Sequence, residues 1–544
     1  MGQLLRRYGR SLNHVGVAMA LLFFSWSLTP SLLPRAWQVQ GLVSGVTLAC
    51  GYAIGVTIAW SARRLGVPEP SKRVRRWAWC ANWVMAALTI PVILWLSSGW
   101  QREIRLAVQL PPGQRRAFLG VFVIAALTAA GLIGVVRIFH DLYLVLTRRL
   151  RRFLPRVAAR LASAVVVVAL AVGLFTGVLP STVIYLADTT FSAADHGNYD
   201  GVVQPITSLR SGSHASLVPW DTLGMEGRSF VAAGPTPTTI AQFSGHPATM
   251  PIRIFVGRLS AHSLQGEAEL VLAELKRTDA FERQLLAVAV ATGTGWIDPA
   301  LADPLEYMYG GDSAIASMQY SFLPSWLSFL DDREHAQQAG RLLFNTIYDY
   351  WTTLSPARRP RLVIFGESLG AYGAASAFSS VADMTARTNG ALLVGTPDDT
   401  AMWRQLTDHR TPTSSERLPV VGDGRTVRFA ATAGDLRQPD GSLDDPKVIF
   451  LQHASDPVVW WSPTLIWHKP GWIDDDGGAD VTHSMHWYPL VTFWQVTCDL
   501  LVSTKVPPGH GHNYGREAAT AWAAILHPPG WRESDTNNLA LRTS

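Results

Sequence analysis

The fold is decided by the stretch Arg361-Leu-Val-Ile-Phe-Gly-Glu-Ser-Leu-Gly-Ala-Tyr-Gly373, in which an apolar run passes directly into glycines and small residues. The run 361–366 is typical of a buried strand, and 371–378 is typical of a helix. Between them, Gly366-Glu-Ser-Leu-Gly370 fits the pattern G-x-S-x-G, whose glycines allow a sharp strand-to-helix turn with an exposed serine hydroxyl. We therefore predict that Ser368 is a nucleophile. The alternative is a glycine-rich turn without a chemical role.

Short apolar runs of the same kind alternate with longer amphipathic runs throughout the chain after residue 251. The strand-like runs are 252–257, 285–291, 314–322, 361–366, 391–395 and 447–452. The helical runs are 266–277, 332–354 and 371–378. Continuous apolar strands joined through helices indicate a mostly parallel sheet with helices on both faces. We predict one α/β domain over residues 251–544, which is long enough to bury a large core.

A serine nucleophile needs a general base, and the base needs a carboxylate that orients it. In hydrolases with this kind of turn the chain order is serine, acid, histidine. Asp456 lies just past the strand-like run 447–452, and we predict that it is the acid, although an Asp-Pro turn would also explain it. The base should precede the helical run 517–526, where the sequence has His510 and His512. We favour His512 as the base and leave His510 open.

The oxyanion that forms during acyl transfer needs backbone N–H donors held in place before the reaction. One donor should be the N–H of Leu369, directly after the nucleophile. The second should come from the loop Thr292-Gly-Thr-Gly-Trp296, and the candidates there are Gly293, Thr294 and Gly295. A phosphate-binding loop is the rival interpretation of these glycines, but neither of the two common phosphate-loop patterns is met.

Composition excludes several other classes of protein. The 544 residues include 46 Lys+Arg and 41 Asp+Glu, so the formal charge of +5 gives no reason to expect nucleic-acid binding. With 48% hydrophobic and 16% charged residues, the chain is too apolar to be disordered. The three cysteines, Cys50, Cys80 and Cys498, form neither a disulfide framework nor a metal-ligand pattern. We expect no cofactor and no metal site.

Apolar runs long enough to cross a membrane, which takes about 20 helical residues, all lie before residue 190. The five runs are Val15–Leu33, Gly41–Trp60, Trp77–Ser98, Phe118–Ile138 and Leu161–Ile184. The first run has no cleavage site after it, so it is not a cleavable signal peptide. We predict a transmembrane domain over 1–187 and an irregular connector over 188–250. The alternative, buried helices of a soluble core, would need shorter runs.

Lys and Arg residues in short loops predict the orientation, because they favour the cytoplasmic side. One side carries fifteen: Arg6, Arg7, Arg10, Arg63, Arg64, Lys72, Arg73, Arg75, Arg76, Arg148, Arg149, Arg151, Arg152, Arg156 and Arg160. The other side carries five: Arg35, Arg102, Arg105, Arg115 and Arg116. We therefore predict a multi-pass protein of the cell membrane with a cytoplasmic N-terminus and an extracytoplasmic catalytic domain.

Several longer strings resemble a largely uncharacterised bacterial family of membrane-anchored alpha/beta-hydrolases. The strings are 27–35 (SLTPSLLPR), 216–224 (SLVPWDTLG), 292–296 (TGTGW), 319–326 (QYSFLPSW), 366–370 (GESLG), 453–461 (HASDPVVWW) and 509–514 (GHGHNY). The resemblance covers nearly the whole chain. It implies an alpha/beta-hydrolase fold and a catalytic set of Ser368, Asp456 and His510 or His512, but no substrate. The sequence departs from the wider superfamily at Trp487–Val502, a helix-like stretch where the last strand is expected.

These features predict a membrane-anchored serine hydrolase that cleaves an acyl ester or thioester of a lipid or cell-envelope substrate through an acyl-enzyme. One alternative is an acyltransferase that uses the same triad with a hydroxyl acceptor in place of water. A second is a non-enzymatic scaffold or transporter with a binding domain, although the predicted spans carry almost no ionisable residue. The sequence leaves the oligomeric state open.

Overall fold

The computed structural model describes residues 12–112, 118–324, 327–329, 333–437, 446–475 and 478–542. The chain forms two compact units. The first contains Met1–Leu186, Pro463–Ile473 and Val481–Val502, and the second contains Ala187–Ser462, Asp474–Asp480 and Ser503–Ser544. Two segments within the range 251–544 therefore group with the N-terminal helices. Some residues used in the sequence argument lie outside the described ones, namely Arg6, Arg7, Arg10, Arg115, Arg116 and 325–326.

The N-terminal part of the first unit is helical. Its helices are α1 (His14–Ser27), α2 (Trp37–Arg64), α3 (Lys72–Ala107), α4 (Phe118–Leu150) and α5 (Arg156–Asp195). Among the described residues, α2 to α5 are the four helices long and apolar enough to cross a membrane, which indicates membrane association. The predicted first span differs from this pattern. Helix α1 has 14 residues, and at about 1.5 Å per residue it is shorter than a hydrocarbon core of about 30 Å.

The segment that follows α1 is irregular because prolines at 30 and 34 cannot continue a helix. It is held by buried polar contacts within the first unit. Arg35 Nε lies 2.6 Å from Asp499 Oδ1, and the two side chains are 1% and 0% exposed. The Gln495 side-chain amide donates to backbone carbonyl groups at the end of α1. Asp499 and Gln495 belong to α15 (Val491–Asp499), so the helix predicted within Trp487–Val502 is present and belongs to this unit.

The second unit contains a seven-stranded sheet in which every described pairing is parallel. The strands are β1 (Ile252–Val256), β2 (Leu285–Val290), β3 (Ser313–Met318), β4 (Arg361–Glu367), β5 (Gly390–Val394), β6 (Val427–Ala430) and β7 (Val448–Leu451). Their order in the sheet is β1-β3-β2-β4-β5-β7-β6. Six of them coincide with predicted runs. Strand β6 was not predicted because it has four residues, one of which is arginine.

Helices connect most of these strands, which confirms the predicted parallel α/β architecture. They are α6 (Gly224–Ala232), α7 (Pro237–Ser244), α8 (Leu264–Arg277), α9 (Pro299–Met308), α10 (Arg333–Thr353), α11 (Leu369–Ser376), α12 (Val381–Arg387), α13 (Ala401–Asp408), α14 (Pro457–Trp460), α16 (Arg516–Leu526) and α17 (Glu533–Arg542). Strands β1, β2, β3, β5, β6 and β7 are buried along their whole length, as expected for a parallel sheet covered by helices.

The register of the sheet brings the loops after its central strands to one edge. Val290 of β2 lies opposite Gly366 of β4, and Val394 of β5 lies opposite Glu367 of β4. Leu451 of β7 in turn lies opposite Val394. The loops that follow β2, β4, β5 and β7 therefore leave the sheet at the same edge, where ligands bind in open α/β sheets.

We predict that Asp499→Asn lowers the free energy of unfolding by about 3 kcal/mol, because it leaves the Arg35 guanidinium buried without its charge partner. The measurement is thermal and denaturant unfolding of the full chain in detergent. The matched control is Arg63→Gln, which breaks the ion pair between Arg63 and Glu69, whose side chains are 50% and 77% exposed. An exposed pair contributes little. Equal effects of the two substitutions would contradict the prediction.

Candidate active site

The strand-to-helix turn predicted from G-x-S-x-G is present. Strand β4 ends at Glu367, Ser368 has φ 58° and ψ −122°, and α11 begins at Leu369. A positive φ is unfavourable for a residue with a side chain, so the surrounding structure must hold this conformation. The Ser368 N–H donates to the Val394 carbonyl at 2.9 Å, which ties the turn to the neighbouring strand. Leu369, the predicted oxyanion donor, is buried at the start of the helix.

Two glycines make this turn sterically possible. A Cβ atom on Gly370 would lie 2.2 Å from the carbonyl oxygen of Val290 in β2. A Cβ atom on Gly366 would lie 2.3 Å from the carbonyl carbon of Gly370. Both distances are far below normal contact. Helix α11 can therefore start this close to the sheet only because both positions lack a side chain.

The predicted acid, Asp456, is fully buried and accepts three hydrogen bonds. It follows β7 and caps α14, where its Oδ1 accepts the Val458 N–H at 2.8 Å. Its Oδ2 accepts the Tyr514 hydroxyl at 2.7 Å and lies 2.7 Å from Nδ1 of His512. An ionised Asp456 requires a proton on Nδ1, which leaves Nε2 of His512 as the hydrogen-bond acceptor.

Of the two predicted histidines, the structure brings only His512 to the acid. The His512 ring pairs with Asp456, and its backbone N–H donates to the Ser503 carbonyl at 2.9 Å. Nδ1 of His510 instead lies 3.7 Å from Oδ2 of Asp480. His510 therefore has a different carboxylate neighbour, and the two candidates are distinguished by geometry.

The imidazole of His512 lies beside the strand-to-helix turn. Its Nε2 is 3.7 Å from Oε1 of Glu367, the residue that precedes Ser368. On another side it packs against Gly395, where a Cβ atom would lie 2.4 Å from Cε1 of the ring. The predicted acid and histidine thus come from separate parts of the chain and lie beside the turn that holds the predicted serine.

The loop after β2 forms a closed turn. The Thr292 N–H donates to the Trp296 carbonyl at 3.1 Å, and the Gly295 N–H donates to the Thr292 carbonyl at 2.9 Å. The Gly295 N–H is thus already used within the turn. Of the three predicted oxyanion donors in this loop, Gly293 and Thr294 remain the candidates.

Tyr514 is a residue of this site that the sequence analysis did not single out. Burial, followed by the adjacent Asp456 carboxylate, raises the pKa of its phenol well above the usual range, so it stays protonated and donates to Asp456. Its ring stacks on His453 with centroids 4.1 Å apart. Its signal in the sequence was its place two residues after His512, within the string 509–514.

Glu367 and Asp298 were also missed. Burial raises the pKa of Glu367 well above its usual range, and the neighbouring Asp298 carboxylate raises it further. Burial also raises the pKa of Asp298, to about 6. Glu367 occupies a freely variable position of G-x-S-x-G, and Asp298 looks like an ordinary helix cap before Pro299, so neither carried a signal in the sequence.

A parallel α/β sheet, a serine on a strained strand-to-helix turn and an acid–histidine pair from later loops define the class of α/β-hydrolases. The chain belongs to the Alpha/beta-hydrolase family, whose model matches residues 252–539. A second model, described as the Alpha/beta-hydrolase family N-terminus, matches residues 28–235. No curated protein and no solved structure matches the chain. Membership of this family indicates a hydrolase-type enzyme.

We predict that Gly395→Ala slows labelling of the protein by a fluorophosphonate probe by about a hundredfold, because the new methyl group displaces the His512 ring. The matched control is Gly422→Ala. Gly395 and Gly422 have similar φ values, 55° and 61°, but a Cβ atom on Gly422 would meet nothing within 4 Å. Both variants therefore carry the cost of a left-handed alanine, and only the first disturbs the histidine. Equal labelling rates would contradict this account.

Proposed function

We propose that the chain is a membrane-anchored serine hydrolase that cleaves acyl esters or thioesters through a covalent acyl-enzyme. The observation that carries the proposal is the buried pair of Asp456 and His512, with Nδ1 and Oδ2 2.7 Å apart, next to the turn that holds Ser368. An orienting carboxylate, an imidazole and a strained serine are the three parts that nucleophilic acyl transfer requires.

In the proposed reaction, Ser368 Oγ attacks the acyl carbonyl carbon while Nε2 of His512 takes the hydroxyl proton. Asp456 stabilises the resulting imidazolium and keeps its orientation. The Leu369 N–H and an N–H of Gly293 or Thr294 donate to the oxyanion. The imidazolium then gives its proton to the leaving alcohol or thiol, and water, activated by the same histidine, releases the acid from Ser368.

The substrate class follows from the membrane anchor. Helices α2 to α5 would hold the enzyme at a bilayer, where acylated lipids and other acylated envelope molecules are concentrated. Basic residues at the facing ends of α2 and α3, and in and beside the loop between α4 and α5, support a cytoplasmic location for those two loops. The chain after α5 is then extracytoplasmic, whether or not α1 crosses.

A fifth crossing, and hence a cytoplasmic N-terminus, needs more than the 14 residues of α1. Leu28, Leu32 and Leu33 in the following irregular segment are buried inside the protein, with at most 1% exposure. Irregular backbone is tolerated at membrane depth when protein surrounds it. We propose that α1 and this buried segment together complete the crossing.

The catalytic proposal predicts that a fluorophosphonate probe labels the wild-type protein in membranes and does not label Ser368→Ala. His512→Gln should slow labelling at least about a hundredfold because the general base is lost. His510→Gln is the matched control and should label at close to the wild-type rate. A folded wild-type protein that fails to label, or a Ser368→Ala variant that labels equally, would remove the catalytic proposal.

The products of a model acyl ester, measured with and without an added alcohol, separate hydrolysis from the rival acyl transfer. Hydrolysis predicts free acid in both cases. Transfer of most acyl groups to the alcohol, with little free acid, would replace the hydrolase proposal by an acyltransferase that uses the same residues.

The topology predicts that protease added to intact spheroplasts digests the second unit, while an N-terminal epitope tag stays protected. Protection of the second unit would overturn the proposed orientation. Digestion of the tag together with the second unit would show that α1 does not cross. A cytoplasmic marker protein that remains intact is the control for leakage.

A further inference from the structure

Two carboxyl groups beside the proposed base are not used in the mechanism above. Oε1 of Glu367 lies 3.7 Å from Nε2 of His512, and the Asp298 carboxyl is a neighbour of Glu367. Oε2 of Glu367 is buried and has no hydrogen-bond partner of normal length among the described residues, although the Asp298 carboxyl is its neighbour. A buried carboxylate with so few partners is costly as an ion.

The titratable groups around this pair come from four parts of the second unit. They are Glu367 at the end of β4, Asp298 at the start of α9 and Asp303 within it, Asp456 at the start of α14, and His512 and Tyr514 in the loop before α16. Within this set, only His512 gains a positive charge when it binds a proton. The charges of Glu367 and His512 are therefore coupled.

Burial and the neighbouring Asp298 both raise the pKa of Glu367, whereas the pKa of Asp298 itself is about 6. Of the two carboxyl groups, Glu367 therefore binds a proton more readily than Asp298 does. An uncharged Glu367 leaves Nε2 of His512 free to accept the serine proton. An ionised Glu367 would instead stabilise the imidazolium, whose Nε2 already carries a proton and cannot act as a base.

We infer that Glu367, buried 3.7 Å from Nε2 of His512, is a positioning residue that acts on the base through its charge, and that Asp298 adds to the effect of burial on Glu367. The inference rests on the proposed function, because it takes His512 as the general base. It gives a role to the residue that directly precedes the nucleophile, and it connects the base to the loop after β2 through Asp298.

The test is the pH dependence of kcat/KM for a p-nitrophenyl acyl ester, measured on the purified full chain in detergent. Asp298→Asn removes the charge but retains an oxygen that can cap α9 through the Ala300 N–H. Glu367 then ionises more readily and holds His512 in its protonated form. The acid limb is the part of the profile where kcat/KM falls as the pH is lowered. It should move to higher pH by about one unit, so that kcat/KM at a pH below the limb falls about tenfold.

Two further variants make the test specific. Glu367→Gln is permanently uncharged, so its acid limb should lie at or below that of the wild type. In this background, Asp298→Asn should no longer move the limb upward. The pH of the limb does not depend on how much enzyme is folded, so partial misfolding of a variant does not affect the comparison.

Removal of Asp298 could also act directly on His512, since a lost negative charge destabilises the imidazolium. That effect would move the limb to lower pH, which is opposite to our expectation. The inference is overturned if Asp298→Asn moves the acid limb to lower pH or leaves it in place. It is also overturned if Asp298→Asn moves the limb upward equally in the Glu367→Gln background. The catalytic proposal still stands in these cases if the wild type is labelled at Ser368. A wild type that neither labels nor hydrolyses the ester overturns both.

Discussion

The site depends on one steric constraint, the close approach of α11 to strands β2 and β4. Ser368 keeps a positive φ in a turn where Gly366 and Gly370 leave no room for side chains. A Cβ atom at either position would lie within about 2.3 Å of a backbone atom. This contact fixes where the serine stands, and the parallel register then brings the loops after β2, β5 and β7 to the same edge. The pair of Asp456 and His512 and the pair of Glu367 and Asp298 both lie next to this turn.

Electrostatically, the site is a group of buried acids around one imidazole. Asp456 accepts three hydrogen bonds, one of them from a tyrosine that burial keeps protonated. Glu367 has almost no partners, and burial and Asp298 favour its protonated form. Two carboxyl groups therefore lie at opposite nitrogen atoms of the same ring in very different hydrogen-bond environments. This is the arrangement by which proteins assign different roles to chemically similar groups.

The two units are linked through the part of the chain between the proposed acid and base. After Asp456 the chain contributes 463–473 and 481–502 to the first unit, and it returns at Ser503, whose carbonyl accepts the N–H of His512. Within 481–502, Asp499 is paired with Arg35. The first unit therefore includes a segment that lies in sequence between two residues of the proposed triad, so it is more than an N-terminal appendage to the hydrolase fold.

The sequence by itself determined the elements that depend on local patterns. Apolar runs predicted six of the seven described strands, and the pentapeptide around Ser368 predicted the turn, because both follow from spacing along the chain. It could not separate His510 from His512, since both lie in one loop two residues apart. It also could not reveal that Glu367 and Asp298 meet, or that 481–502 packs with the N-terminal helices. Those features depend on which distant residues share a buried space, and only the tertiary structure decides that.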